Sequence, residues 1–128
     1  MATNYTYLLI DDNIIDQIVT SQLLKKVLGV EEINIMNNGH QGIQWIKSRT
    51  DKAQPLIILL DMRMPEMGGF EFLSQFETLD SLSKKYTKIF MLSSTLDTEE
   101  IRRVEDNQYV TRFLTKPFPI HEFVKMIA

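Results

Sequence analysis

Pro55-Leu56-Ile57-Ile58-Leu59-Leu60-Asp61 is the stretch that decides the fold. Its aliphatic residues run without a polar interruption, so the strand they predict is apolar on both faces. Such a strand belongs in the middle of a sheet covered by helices on each side. The run stops at Asp61. A loop comes next, Met62-Arg63-Met64-Pro65-Glu66-Met67-Gly68-Gly69, and then Phe70, Phe72, Leu73 and Phe76 at helical spacing.

The same alternation recurs on either side. Tyr7-Leu8-Leu9-Ile10 predicts a strand that ends in Asp11-Asp12-Asn13. Ile15, Val19, Leu23 and Val27 come next at i+4 spacing and predict the core face of a helix, with Gly29 at its C-terminus. Ile33 and Ile35 alternate with polar neighbours, as in a short strand. Asn37-Asn38-Gly39 reads as a strand-to-helix loop, because Ile43 and Ile46 beyond it keep a helical pattern. Residues 77–87 are polar and less defined. Ile89-Phe90-Met91-Leu92 predicts a fourth strand, ending in Ser93-Ser94. Residues 98–104 predict a helix in which Thr98 is the cap and Glu99 and Glu100 favour the positive end. Phe113-Leu114 ends a fifth strand before Lys116-Pro117, and Ile120, Phe123, Val124 and Ile127 mark one face of a last short helix. Five strands alternating with five helices require crossover connections, which gives an α/β fold with a parallel sheet. Right-handed crossovers place helices on both faces, a doubly wound, three-layer sandwich.

Composition narrows the function. The 128 residues suit a single domain, 1–128. A net charge of −3 shows no basic excess, so no nucleic-acid partner is expected. No run reaches the ~18 apolar residues that span a bilayer, and the N-terminus lacks a signal-peptide pattern. A cytoplasmic protein without a membrane partner is expected. The absence of cysteine excludes disulfides, thiol catalysis and zinc–thiolate sites.

Open α/β sheets bind ligands beyond the carboxyl ends of their strands. Asp11 and Asp12 come after the first strand, Asp61 after the third, Ser93 after the fourth and Lys116 after the fifth. Taken singly, each is an ordinary turn, cap or solvated residue. Their common position at one edge is harder to assign to turns. If the first and third strands are neighbours, the three carboxylates share a crevice and oppose one another's ionisation. A divalent cation relieves that conflict, and an all-oxygen donor set suits Mg²⁺. Lys116 then completes neutrality, and such a site holds a phosphoryl group while a carboxylate attacks phosphorus.

The segments Leu9-Ile10-Asp11-Asp12-Asn13, Leu60 through Gly69, Met91-Leu92-Ser93-Ser94 and Phe113-Leu114-Thr115-Lys116-Pro117-Phe118 resemble, in order and spacing, the motifs of two-component response-regulator receiver domains. The resemblance covers essentially the whole chain. It implies a CheY-like, flavodoxin-like sheet of strand order 2-1-3-4-5. It implies that Asp61 accepts a phosphoryl group from a sensor histidine kinase or histidine phosphotransfer protein. Asp12, Asp61 and the Arg63 backbone carbonyl match the Mg²⁺ ligands, with Asp11 acting through water. Ser93 matches the hydroxyl that turns toward the phosphoryl group, Lys116 the lysine that contacts it, and Lys116–Pro117 a cis peptide. Phe113 occupies the aromatic switch position without the hydroxyl often found there. Arg63 and Thr95 flank the acceptor where the family tunes phosphoryl lifetime.

The expected output is a changed docking surface over residues 97–127 for a downstream protein. No output domain is expected beyond Ala128, and the protein is expected as a monomer or weak homodimer. Turnover catalysis is not expected. A phosphatase of the haloacid-dehalogenase type is the alternative, but Asn13 stands where its second aspartate belongs. A constitutive binding module with the same fold is the other alternative. His40, placed in the loop after the second strand, and His121 read as exposed residues. Met62, Met64 and Met67 read as packing, Trp45 likewise, and Lys84-Lys85 and Arg102-Arg103 as solvated faces.

Overall fold

In the computed structural model, which describes residues 4–127, the apolar run of the third strand is the centre of the sheet. The first three residues and Ala128, which close the expected domain span, lie outside the described residues. The strands are β1 (Thr6–Ile10), β2 (Asn34–Met36), β3 (Leu56–Asp61), β4 (Thr87–Ser93) and β5 (Val110–Thr115). The helices are α1 (Ile14–Leu28), α2 (Gly39–Ser48), α3 (Gly69–Glu77), α4 (Ser81–Lys85), α5 (Thr98–Glu105) and α6 (Ile120–Ile127). All the strand pairs are parallel and the order is β2-β1-β3-β4-β5, as the resemblance implied. Every residue of β3 is buried.

Side chains alternate along each strand, so the sheet divides the interior in two. Leu8, Ile10, Ile58, Leu60 and Met91 face α2 and α3, meeting Ile43, Ile46, Phe72 and Phe76. Tyr7, Leu9, Ile57, Leu59 and Phe90 face α1 and α6, meeting Leu24, Phe123 and Ile127. The Phe90 and Phe123 rings pack edge to face at 5.0 Å. Met62, Met64 and Met67 are buried packing residues, as read. A Cβ on Gly39 would stand 2.6 Å from the Met67 sulfur, so the start of α2 rests directly on the β3–α3 loop. Gly29 ends α1 at φ +69°, a conformation glycine takes without strain.

The rotation of α1 differs from the expectation. The helix buries Gln17, Thr20, Ser21 and Leu24. Of the predicted face, Ile15 is 63% exposed, Val19 41% and Val27 44%, and only Leu23 packs partly against the core. The helix carries aliphatic residues on several sides, so i+4 spacing alone does not choose one. Gln17 chooses: its amide nitrogen donates to the Asp11 carbonyl at 2.6 Å and to Asn37 Oδ1 at 2.9 Å. Those partners exist only at the sheet edge, and a buried amide must keep them.

Smaller differences have local causes. Among the described residues there are six helices, not five. α4 lies in the polar stretch before β4, where Asp80 caps it by accepting from Ser83 N at 2.7 Å. The cap of α5 is Asp97, which accepts from Glu99 N and Glu100 N, and Thr98 is its first helical residue. His40 is in the first turn of α2, not the loop, though exposed as read. β2 begins after Ile33, and Ile35 is 38% exposed.

Candidate functional site

Parallel register sets the site. Ile10 pairs with Leu60, so the next residues along the chain, Asp11 just past β1 and Asp61 at the end of β3, stand side by side at the carboxyl edge. Ser93 pairs with Thr115, and Lys116 N donates to the Ser93 carbonyl at 2.9 Å, bringing Lys116 to the same edge. The Lys116–Pro117 peptide is cis. Asp11, Asp12 and Asp61 each offer a carboxylate oxygen within 4.8 Å of the others. Asp11 is 1% exposed, Asp61 5% and Ser93 3%, while Asp12 opens to solvent. Each buried carboxylate also accepts a backbone N–H from two residues on: Asn13 N to Asp11 Oδ1 at 2.9 Å, and Arg63 N to Asp61 Oδ1 at 3.3 Å.

Lys116 Nζ stands 3.3 Å from Asp61 Oδ1 and 3.3 Å from Asp11 Oδ2. It is nearer still, at 2.8 Å, to Asp16 Oδ2 in the first turn of α1. Asp16 is a fourth carboxylate at the rim that sequence reasoning missed. Its signal was an acidic residue in the first turn of a helix that Asn13 caps by accepting from Asp16 N at 3.1 Å.

Burial sets the electrostatics. Desolvation raises the Asp61 carboxyl to about 6; the Asp11 charge adds to the rise, while Lys116 and the Arg63 N–H oppose it. Desolvation also raises Asp11, against the Asn13 N–H and Lys116. Burial alone would lower the Lys116 ammonium, but the hydrogen bond to Asp16 and the charges of Asp61 and Asp11 carry it above the ordinary lysine value. Buried acids strained toward protonation, with oxygen donors converging, fit a hard divalent cation. The donor set is therefore the one expected for Mg²⁺.

A second set of contacts closes the mouth on the β4 side. Thr95 N donates to Ser93 Oγ at 3.1 Å. Thr95 Oγ1 donates to Glu100 Oε1 at 2.8 Å, and Arg63 Nη2 pairs with the same oxygen. Phe113 is half-buried on β5, against the core cluster that includes Met91 and Val104. His121 is exposed on α6, and Trp45 is a packing residue over which Arg49 stacks at 5.6 Å. Arg103 lies 3.8 Å from the Phe70 ring centre, so this basic pair is not wholly solvated. No helix among the described residues is long and apolar enough to cross a membrane.

The sequence profile of the response regulator receiver domain matches residues 7–128. The sensor histidine kinase CheAY of Helicobacter pylori is 32% identical over 91% of this chain. The probable C4-dicarboxylate response regulator DctR of Priestia megaterium is 31% identical over 89% of it. The chain spans 14% and 46% of the length of these two relatives. A crystallised response regulator receiver protein of Dyadobacter fermentans superposes with a TM-score of 0.88 at 27% identity, over 96% of this chain and 94% of that one.

Proposed function

The chain belongs to the response regulator receiver domain family, and we propose that it works as a phosphorylatable switch with Asp61 as the acceptor. The observation that carries this reading is the convergence on Asp61: two further carboxylates lie within ligand distance, and one ammonium lies 3.3 Å away. A carboxylate oxygen of Asp61 attacks phosphorus of a phosphohistidine or acyl phosphate. The new O–P bond forms as the bond to the donor's nitrogen or oxygen breaks, and the leaving group keeps that electron pair. Asp12, Asp61 and the Arg63 carbonyl would hold Mg²⁺, with Asp11 acting through water; bound there, it neutralises phosphoryl oxygens. Lys116 orients one phosphoryl oxygen, and the Ser93 hydroxyl donates to another.

The donor is a histidine kinase or histidine phosphotransfer protein. It docks on the exposed aliphatic rows of α1, Ile14, Ile15, Ile18 and Val19, which adjoin Asp12 and Asp16 at the mouth. Output is read by a separate protein on residues 97–127, where movement of Ser93 lets Phe113 turn inward. The chain is a partner in phosphotransfer and not a turnover phosphatase, since Asn13 supplies no second acid. Acetyl phosphate with Mg²⁺ should label the protein on Asp61, and Asp61→Asn should abolish labelling. Undiminished labelling of that variant, seen by intact-protein mass, would move the acceptor elsewhere.

A further inference from the structure

We propose that Glu100 is a positioning residue that restrains phosphorylation by holding the Arg63 guanidinium off Asp61. The inference rests on Asp61 being the acceptor. A single oxygen, Glu100 Oε1, takes both the Arg63 guanidinium and the Thr95 hydroxyl. Each of those residues is tied back to the site. The Arg63 N–H donates to Asp61 Oδ1 at 3.3 Å, and the Thr95 N–H donates to Ser93 Oγ at 3.1 Å. The contacts link Asp61, Arg63, Glu100, Thr95 and Ser93 in one chain around the mouth.

Glu100 is not a loosely placed surface acid. Its backbone N–H donates to the capping carboxylate of Asp97, whose own N–H donates to Thr95 Oγ1 at 3.1 Å. The first turn of α5 therefore fixes where the carboxylate stands. The Arg63 side chain, by contrast, is 64% exposed and free to swing once its partner goes. An exposed ion pair of this kind is weak. A new charge on Asp61 competes with Glu100 for the Arg63 guanidinium.

Arg63 is the cation of the rim that no acid inside the crevice already holds; Lys116 is shared among Asp11, Asp16 and Asp61. With its charge engaged by Glu100, Arg63 neither attracts an anionic donor nor meets the developing phosphoryl charge. Freed, it does both. Phosphorylation takes the charge at Asp61 from one negative to about two, which draws Arg63 across and releases the Glu100 contact on α5. The same residue thus sets the threshold for labelling and marks on α5 that the threshold has been crossed.

The test is the rate of Asp61 labelling by acetyl phosphate with saturating Mg²⁺, in the parent, Glu100→Gln, Arg63→Ala and the double variant. Gln keeps an oxygen for Thr95 but loses the charge that fixes Arg63. Glu100→Gln should label about fivefold faster, which corresponds to about 1 kcal/mol. The gain should shrink as salt rises and vanish in the double variant. An unchanged rate in Glu100→Gln would overturn the proposal. So would a gain that survives Arg63→Ala, because the carboxylate would then be acting by its own repulsion. Absence of labelling in the parent would instead remove the acceptor reading, and this inference with it.

Discussion

α1 and α5 flank the site from opposite sides and are held by opposite means. α1 turns Gln17, Thr20 and Ser21 inward with Leu24 and shows aliphatic residues to solvent. α5 buries one residue, Val104, keeps Glu100 half-buried, and shows Glu99, Arg102, Arg103 and Glu105. Hydrogen bonds from Gln17 to the end of β1 and to the β2–α2 loop lock α1 to the frame. The first turn of α5 hangs on polar contacts at its cap and on Glu100. Segments with few buried apolar contacts are those that move at low cost. The two helices are therefore held differently: α1 is fixed by buried hydrogen bonds and shows an apolar face, while the first turn of α5 rests on polar contacts.

The largest effect that sharpens this contrast lies within α1. Leu24→Ala should cost about 2–5 kcal/mol of stability in urea unfolding. Ile18→Ala, on the solvent side, should cost about 0.5 kcal/mol or less. Equal costs would mean that the helix is rotated from the position described.

The metal tests the crevice between the two helices. Mg²⁺ at a hundred times its Kd should stabilise the protein by about 2.7 kcal/mol, and Asp12→Ala should remove most of that gain. Amide shifts on titration should appear at residues 11–13 and 61–63. A stabilisation that persists in Asp12→Ala would place the ion elsewhere.

A comparable but smaller effect is expected from pH, measured without divalent ions. The native Asp61 carboxyl titrates at about 6 against 3.8 for the free group, so between those values the native state keeps a proton that the unfolded chain has released. Stability then falls as pH rises from about 4 to about 6, and the deficit remains above that window. Asp61→Asn carries no such penalty. It should match the parent near pH 4 and exceed it by about 1–3 kcal/mol above pH 6. Parallel pH curves for the two proteins would show that Asp61 is not a strained acid.

Much of the frame was legible in the sequence for a physical reason. A strand buried on both faces has no room for polar residues, so Leu56 to Leu60 announced a central β3, and the residues just beyond each parallel strand had to lie at one edge. Asp11, Asp12, Asp61, Ser93 and Lys116 therefore converge as their positions predicted. The rotation of α1 was not legible, because its aliphatic residues occur all round and the deciding group is a glutamine. α4 was hidden because five mostly polar residues carry no periodic signal. Asp97 and Thr98 are both able to cap, and sequence alone favoured the wrong one. Asp16 and Glu100 escaped because their partners, Lys116 and Arg63, are distant along the chain. Glu100 offered only the signal of an acid at a helix start.

The two-sided sheet has a consequence for how news of Asp61 can spread. Ile58 and Leu59 are adjacent in the chain, yet they belong to packing clusters with no member in common. The sheet is a partition: the aliphatic residues on the α2–α3 side pack apart from those on the α1–α6 side. Each half of the interior can exchange its aliphatic residues without negotiating with the other. The two sides meet at the partition's rim, where Asp61, Ser93 and Lys116 stand at the carboxyl ends of neighbouring strands.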